Sequence, residues 1–149
     1  MAQEIEINNR RARHDYHVHD KLETGISLQG TEVKSLRSAQ ASLSDAFARL
    51  EKGELWLYNF HISPYDKGNR ENHEPKRKRK LLIHKREYRK LSGNVVQSGK
   101  SLIPLKGYFK NRYFKILLGI CTSKNKGDKR QDLKTRDVER SIRRNFGRV

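Results

Sequence analysis

The stretch AFARLEKGELWLYNF, residues 46–60, is the strongest strand pattern in this 149-residue chain. Two apolar or aromatic runs, 46–50 and 55–60, flank the polar turn Glu51-Lys52-Gly53-Glu54. A glycine-containing polar turn between two such runs is typical of a β-hairpin. The segment therefore predicts a pair of antiparallel strands as a starting point for the fold.

Further strand patterns lie on both sides of this hairpin. Residues 102–109 and 113–121 are rich in aliphatic and aromatic side chains and are joined at Lys110-Asn111-Arg112, which predicts a second hairpin. Within it, Pro104 is tolerated best at an edge or a bulge. Short alternations over 16–28 and the apolar triplet 81–83 add strands. We expect a mostly β protein, built as a small closed or nearly closed antiparallel barrel.

Short helices are predicted around this barrel. An Asx cap at Asn8 or Asn9 precedes a helix over 10–13, and Val33 and Leu36 mark one apolar side of a helix over 31–38. Residues 85–91 predict a third helix that ends at Ser92-Gly93. Residues 61–80 form the longest polar stretch and predict an exposed loop.

Positive charge is concentrated in the second half of the chain. Residues 76–149 carry 24 Lys and Arg against 5 acids, whereas residues 1–75 have a net charge of −2, for a total of +17. Such a field attracts polyanions through counterion release. Cys121 is the only cysteine, which excludes an intramolecular disulfide. No apolar run reaches the length of a membrane span, so we expect a cytoplasmic protein.

Five consecutive bases are the first candidates for contact with nucleic acid: Lys76, Arg77, Lys78, Arg79 and Lys80. In an extended segment, alternate bases point to opposite sides and can hold one strand or two flanking backbones. A solvated charged loop is the alternative, but the bases that follow at 85–90 favour nucleic acid. Aromatic residues lie among these bases, and we expect about half of them to face the core and the rest to be available for base stacking.

Catalytic patterns are missing from the sequence. It has no phosphate-cradling glycine loop and no nucleophile elbow, so we expect neither an enzyme nor a cofactor. His17 and His19 would share one face of a strand, and imidazoles suit zinc, but no spacing supplies a further ligand. We therefore predict no metal site.

The last 22 residues, 128–149, have a pattern of their own. Apolar residues recur there at near-helical spacing within a mixed-charge, mainly basic segment: Leu133, Val138, Ile142, Phe146 and Val149. So narrow an apolar stripe makes an isolated helix marginal in water. We expect a barrel over 1–127 and a tail over 128–149 that is disordered alone and folds against a partner.

Several segments, taken in their order along the chain, together resemble the small protein B family, the SsrA-binding proteins of bacteria. These segments are NRRARHDY (9–16), GTEVKSLR (30–37), HISPY (61–65), NHEP (72–75), RKLL (79–82), YFKN (108–111) and DKR (128–130). The resemblance implies an oligonucleotide-binding (OB) type of barrel. It also implies a monomeric RNA-binding adaptor that binds the tRNA-like domain of transfer-messenger RNA and delivers it to stalled ribosomes for trans-translation.

The same resemblance implies which residues contact RNA. By position these are Tyr16, Glu23, Leu82 and Lys115. We also predict RNA contacts for the basic residues Arg11 and Arg13. Lys115 suits a phosphate and Tyr16 a stacked base or a 2′-hydroxyl. Glu23 suits a base edge or the orientation of a neighbouring Arg, and Leu82 suits apolar packing on an exposed nucleobase or ribose.

The tail is implied to become helical in the empty mRNA channel near the decoding centre. Its ribosome-facing residues would be Asp128, Lys129, Arg130, Lys134, Arg136, Arg140, Arg143 and Arg144. Gly127 stands where the family commonly has an aromatic residue or histidine, which removes a ring next to Asp128. Two other functions stay open from the residues alone: a general ribosomal or single-strand-binding OB protein, and a metal-dependent nuclease that uses His17 and His19.

Overall fold

The computed structural model describes residues 5–66, 72–125 and 130–131. The tail prediction for 128–149 therefore falls, except at Arg130 and Gln131, outside the described residues. Along the described chain the elements are β1 (Glu6–Asn8), α1 (Arg10–Asp15), β2 (Tyr16–Ile26), α2 (Gly30–Arg37), β3 (Ala41–Ser42), β4 (Phe47–Glu51), β5 (Glu54–Tyr58), β6 (His61–Ile62), β7 (Arg79–Leu82), α3 (Lys85–Ser98), β8 (Ser101–Lys110) and β9 (Tyr113–Ser123).

Six of these strands close into an antiparallel ring in the order β8, β4, β5, β7, β2 and β9, with β9 returning to β8. The β8–β9 hairpin pairs along nearly its whole length, whereas β4 meets β8 only at the pair Ala48–Leu102. β1 pairs with Lys106, Gly107 and Tyr108 of β8, and β3 and β6 form a separate two-stranded sheet. The predicted mostly β barrel with short peripheral helices is confirmed.

Local backbone geometry explains where the strands turn and bend. Lys52 and Gly53 both have positive φ angles, 49° and 80°, which suits a tight hairpin between β4 and β5. Asn111 has a φ of 60° at the turn between β8 and β9. The register of β8 shifts between Pro104 and Lys106, which agrees with the expectation that the proline lies at an edge or a bulge.

The interior of the ring is a single apolar cluster. Inward-facing residues of every barrel strand contribute to it, among them Leu57, Ile116 and Leu118. Leu36 of α2 and Leu91 of α3 cover it. A smaller cluster lies outside the ring, where Ala12 of α1 packs on Leu105 and Cys121. α1 is held there by Asn9, whose side chain accepts the Ala12 amide and donates to the Pro104 carbonyl at 2.8 Å.

The third helix is longer than predicted. It runs from Lys85 to Ser98 and ends at Gly99, which has a left-handed φ of 63°, so the predicted end at Ser92-Gly93 is wrong. The reason is packing, because Leu91 is buried and Val95, one turn later, packs on the same core. None of the helices in the described ranges is long and apolar enough to cross a membrane.

The predicted exposed loop over 61–80 is also wrong in part. His61 and Ile62 form β6, and Arg79 and Lys80 begin β7. His73 is buried, where its Nε2 donates to the Ile62 carbonyl at 2.9 Å and its Nδ1 accepts from the Thr31 hydroxyl at 2.9 Å. These bonds tie the middle of the polar stretch to α2 and to β6.

A buried ion cluster explains why the basic run is anchored. Glu32 of α2 is fully buried and accepts hydrogen bonds from Arg77 at 2.6 Å and from the Nε of Arg79. Arg79 is also fully buried, and its remaining donors reach the carbonyls of Phe60 and Pro75. Every charge in this cluster is paired, as a buried charge must be.

We expect the ion cluster to make stability sensitive to acid. Burial alone would raise the pKa of Glu32, but the bonds from Arg77, the Gln29 amide and Arg79 hold that pKa below its ordinary value of 4.5. A lowered folded-state pKa contributes stability above pH 4.5 that is lost as the pH falls through the folded-state pKa. The free energy of unfolding, measured in urea, should therefore fall more steeply between pH 7 and pH 3 in the natural chain than in Glu32→Gln. Equal slopes would contradict this assignment.

Candidate nucleic-acid interface

Strand register brings three of the predicted RNA-contacting residues to one place. Gly25 of β2 pairs with Leu82 of β7 on one side and with Lys115 of β9 on the other. Lys115 in turn pairs with Tyr108 of β8. Directly paired residues project from the same face of a sheet, so Leu82, Lys115 and Tyr108 form a row on the outside of the barrel. Gly25 adds no side chain to this row, and Leu82 packs against it, since a Cβ at position 25 would lie 3.2 Å from the Leu82 Cβ.

Glu23 joins this row because it lies two residues before Gly25 on the same face of β2. Its carboxylate accepts a hydrogen bond from the Tyr108 hydroxyl and lies 3.4 Å from the Lys110 Nζ. We call Glu23, Leu82, Tyr108, Lys110 and Lys115 the central cluster. It combines one acceptor, two cations, one aromatic ring and one aliphatic side chain on a convex surface.

The electrostatics of the central cluster keep its carboxylate ionised. The hydrogen bond from Tyr108 is the largest cause that lowers the pKa of Glu23, and the charges of Lys110 and Lys115 add to it. Burial, followed by the bond to Glu23, raises the pKa of Tyr108 to about 12. Tyr108 is thus a hydroxyl donor at neutral pH, and Glu23 is an acceptor whose position is held from one side.

Leu82 is the apolar part of the central cluster. It is 50% exposed, and among the described residues only Tyr113 is a more exposed large hydrophobic side chain. A lone exposed leucine is ordinary, but this one is bordered by cations on a surface with few acids. That combination suits a flat, negatively charged ligand such as a nucleotide, whose base packs on the aliphatic side chain.

Tyr16 lies elsewhere, at the other end of β2, where it pairs with Ser123. Glu23 lies seven positions further along the strand, a distance of roughly 23 Å. Its half-buried ring packs beside the cluster of Ala12 and Cys121. Arg13 and Lys124 line a shallow groove with it. Tyr16 therefore does not meet the central cluster.

The remaining predicted bases lie in different environments. Arg11, close to Tyr16 in the chain, contacts Asp45 at 3.5 Å on the surface. Lys78 contacts Glu51 at 2.8 Å and lies 4.4 Å from the centre of the Trp56 ring. Most of the five-base run is thus already engaged in ion pairs, and Lys76 is exposed.

One predicted RNA contact is wrong in consequence. Arg79 has no exposed surface and binds Glu32 and two backbone carbonyls, so it cannot reach RNA. The run of bases suggested five equivalent cations because the sequence does not reveal the buried carboxylate of Glu32. The alternation expected for an extended run is nevertheless present, because Arg79 faces inward while Lys78 and Lys80 face outward.

The aromatic side chains divide as expected between core and surface. Phe114 is buried and Phe109 packs edge-on against it with ring centres 5.1 Å apart. Tyr108 and Tyr113 face outward. Two partners of Glu23, Tyr108 and Lys110, were missed by sequence reasoning. The hairpin turn at Asn111-Arg112 already implies the pairing of Tyr108 with Lys115, so the signal was present in the predicted register.

The histidines near the start of β2 have protein partners. His19 contacts the Thr122 hydroxyl at 2.8 Å, and His14 contacts Asp15 at 2.9 Å. Within residues 5–66, 72–125 and 130–131, no group of three or more His, Cys, Asp or Glu side chains could hold a metal ion. Of the predicted ribosome-facing tail, Arg130 is described and is exposed, and the other seven residues are outside the described ranges.

Comparisons with known proteins agree with this architecture. The family model described as SmpB protein matches residues 6–148. An SsrA-binding protein of Carboxydothermus hydrogenoformans is 56% identical over 140 residues, covering 94% of each chain. One from Pelotomaculum thermopropionicum is 54% identical over 144 residues, covering 97% of this chain and 94% of the relative.

A solved structure is similar over most of the chain as well. Its description reads "tmRNA-SmpB: a journey to the center of the bacterial ribosome", and the matching chain has a TM-score of 0.69 and 49% identity. The match covers 87% of this chain and 94% of the solved one. The family model, the relatives and the solved structure all point to one group, so the chain belongs to the SmpB family of SsrA-binding proteins.

Proposed function

We propose that this chain is an RNA-binding adaptor that binds the tRNA-like domain of transfer-messenger RNA and delivers it to stalled ribosomes for trans-translation. The observation that carries the proposal is the convergence of Glu23, Leu82 and Lys115 around Gly25 in a chain about half identical to SsrA-binding proteins. The adaptor acts by binding and presentation, without a chemical step of its own.

The central cluster supplies the groups that such binding requires. Lys115 and Lys110 attract phosphates, and Leu82 offers an apolar surface to an unstacked base. Glu23 repels phosphate, so its use is to accept a hydrogen bond from a base N–H or a 2′-hydroxyl. A fixed carboxylate between cations therefore favours a folded RNA that presents a base edge at that point over RNA that presents backbone alone.

Selectivity for RNA structure tests the proposal. The protein should bind the isolated tRNA-like domain far more tightly than an unstructured RNA of equal length, measured by filter binding or fluorescence anisotropy at 150 mM salt. A general single-strand-binding protein depends on backbone charge and base stacking, which both RNAs offer. Equal affinity for the two RNAs would therefore contradict the adaptor proposal and favour a general single-strand-binding function.

Removal of the tail should separate RNA binding from ribosome rescue. We propose that residues 128–149 enter the empty mRNA channel and become helical there, while residues 1–127 hold the RNA. Truncation after Gly127 should leave affinity for the tRNA-like domain within a few-fold of the full chain and abolish tagging of stalled nascent chains in a reconstituted translation assay. Loss of RNA affinity on truncation would contradict this division.

Tyr108→Phe should weaken RNA binding without unfolding the barrel. The variant keeps the ring but removes the hydroxyl that fixes Glu23. Because the site is exposed, we expect about a 3- to 10-fold loss of affinity, which corresponds to about 1 kcal/mol. NMR titration should show the pKa of Glu23 rising in the variant, since its main cause of lowering is gone.

Tyr113→Phe is the matched control. It removes a hydroxyl from another exposed tyrosine of the same hairpin, one that no described hydrogen bond links to Glu23. Its affinity and its Glu23 pKa should match those of the natural chain. If Tyr108→Phe behaved like Tyr113→Phe in both measurements, Tyr108 would have no role in positioning Glu23.

A further inference from the structure

A second surface feature begins where the central cluster ends, at Leu82. A groove of about 490 Å³ runs between β5 and β7 on one side and the first two turns of α3 on the other. Leu82 lines this groove and also belongs to the central cluster. The two surfaces are therefore continuous, with the exposed leucine as their shared edge.

The groove is cationic. Its walls include Lys80, Lys85 and Arg89, against one carboxylate, that of Glu54. Lys80 contacts Glu54 at 3.3 Å, which accounts for that acid. Lys85 and Arg89 have no carboxylate within ion-pair distance in the part of the chain that the structure describes. Two positive charges of the groove thus have no neutralising partner among the described residues.

The acid nearest to these bases in the sequence is engaged with the helix end instead. Glu87 accepts a hydrogen bond from the His84 backbone amide at 3.2 Å and so completes a capping box at the start of α3. This arrangement stabilises the helix end and leaves the charges of Lys85 and Arg89 available to a ligand. Tyr88, half-buried on the same wall, adds a ring and a hydroxyl.

Helical geometry separates groove-lining bases from the other bases of α3. Lys85 and Arg89 are four residues apart and share one side of the helix, the side that lines the groove. Arg86 and Lys90, each one residue further on, are rotated by roughly 100° and are exposed outside the groove. The same helix thus carries two pairs of bases of equal charge, only one of which faces the groove.

We propose that this groove binds the sugar–phosphate backbone of the RNA strand that continues from the nucleotide packed on Leu82. Lys85 and Arg89 neutralise successive phosphates, and Tyr88 contacts the ribose between them. The ligand chemistry is a phosphodiester chain, because Lys85 and Arg89 have no ion-pair partner among the described residues and lie beside apolar lining, Leu82 and Ile83, on which sugars can pack. The inference rests on the proposed function and extends its RNA site from β2, β8 and β9 onto α3.

Paired charge removal tests the groove directly. Lys85→Ala/Arg89→Ala and Arg86→Ala/Lys90→Ala each remove two positive charges from the same helix and keep good helix formers. Affinity for the tRNA-like domain should fall about 10-fold or more in the groove pair and less than about 3-fold in the outer pair at 150 mM salt. The slope of log Kd against log salt concentration should decrease by the equivalent of about two phosphate contacts in the groove pair and not in the outer pair.

The outcomes are separable. Equal losses in the two pairs would show that α3 contributes only a general field, and no loss in the groove pair would show that the backbone does not enter the groove; either result overturns the inference. Thermal unfolding followed by circular dichroism should be the same for both pairs, so that a folding defect is recognised. Failure of the proposed function would be visible earlier, as equal affinity of the natural chain for structured and unstructured RNA.

Discussion

Glu32→Gln is expected to lower the free energy of unfolding by about 3–5 kcal/mol, the largest stability effect that we expect from a single substitution in this chain. The carboxylate is fully buried and pairs with two guanidinium groups, one of them fully buried. Glutamine keeps the size of the side chain but leaves the charge of Arg79 without its counterion. Urea unfolding at pH 7 measures the effect.

The position of Glu32 makes this loss more than local. Its partners Arg77 and Arg79 lead into β7, which ends at Leu82 of the central cluster. Glu74→Gln is the control, since it removes the charge of an exposed acid in the same segment. A control that destabilised as much as Glu32→Gln, or a Glu32→Gln variant as stable as the natural chain, would contradict the role assigned to the ion cluster.

Lys115→Glu is expected to reduce affinity for the tRNA-like domain roughly 100-fold, the largest binding effect that we expect, because it removes a phosphate contact and adds a repulsive charge beside Glu23. Lys115 lies in the middle of the row formed with Leu82, Gly25 and Tyr108. The fold should survive, since the side chain is on the outside of the barrel. Fluorescence anisotropy with labelled RNA measures the change.

Lys100→Glu provides the same change in net charge at a distance. It lies just before β8, at the opposite end of that strand from Tyr108. If long-range attraction alone governed binding, the two reversals would weaken it similarly. A loss for Lys100→Glu as large as that for Lys115→Glu would therefore argue against a localised site at the central cluster.

The barrel was predictable from sequence because its signals are local. The turn at Lys52-Gly53, the alternation of inward and outward residues and the bulge at Pro104 each depend on a few neighbouring residues. The length of α3 was not, because Gly93 looks like a helix end until the packing of Val95 on the core is known. Tertiary contacts decided that boundary against local propensity.

The candidate site was likewise harder to predict where it depends on contacts between distant parts of the chain. The grouping of Glu23, Leu82 and Lys115 depends on the register among β2, β7 and β9, strands far apart in the chain. Arg79 was misjudged because the charge of a buried arginine is indistinguishable from that of an exposed one in a sequence. Only the position of Glu32 reveals which bases stabilise the fold and which remain for a ligand.

A site-specific cross-link tests the central claim, that RNA lies on the central cluster. Cys121 is fully buried and burial raises the pKa of its thiol to about 11, so a cysteine placed at position 82 can be labelled selectively with a photo-crosslinker. Ser42→Cys, exposed on the separate β3–β6 sheet, is the control. We predict that labelled Leu82→Cys cross-links to a few discrete nucleotides of the tRNA-like domain and that labelled Ser42→Cys does not. Cross-linking from position 42 with no product from position 82 would contradict the account.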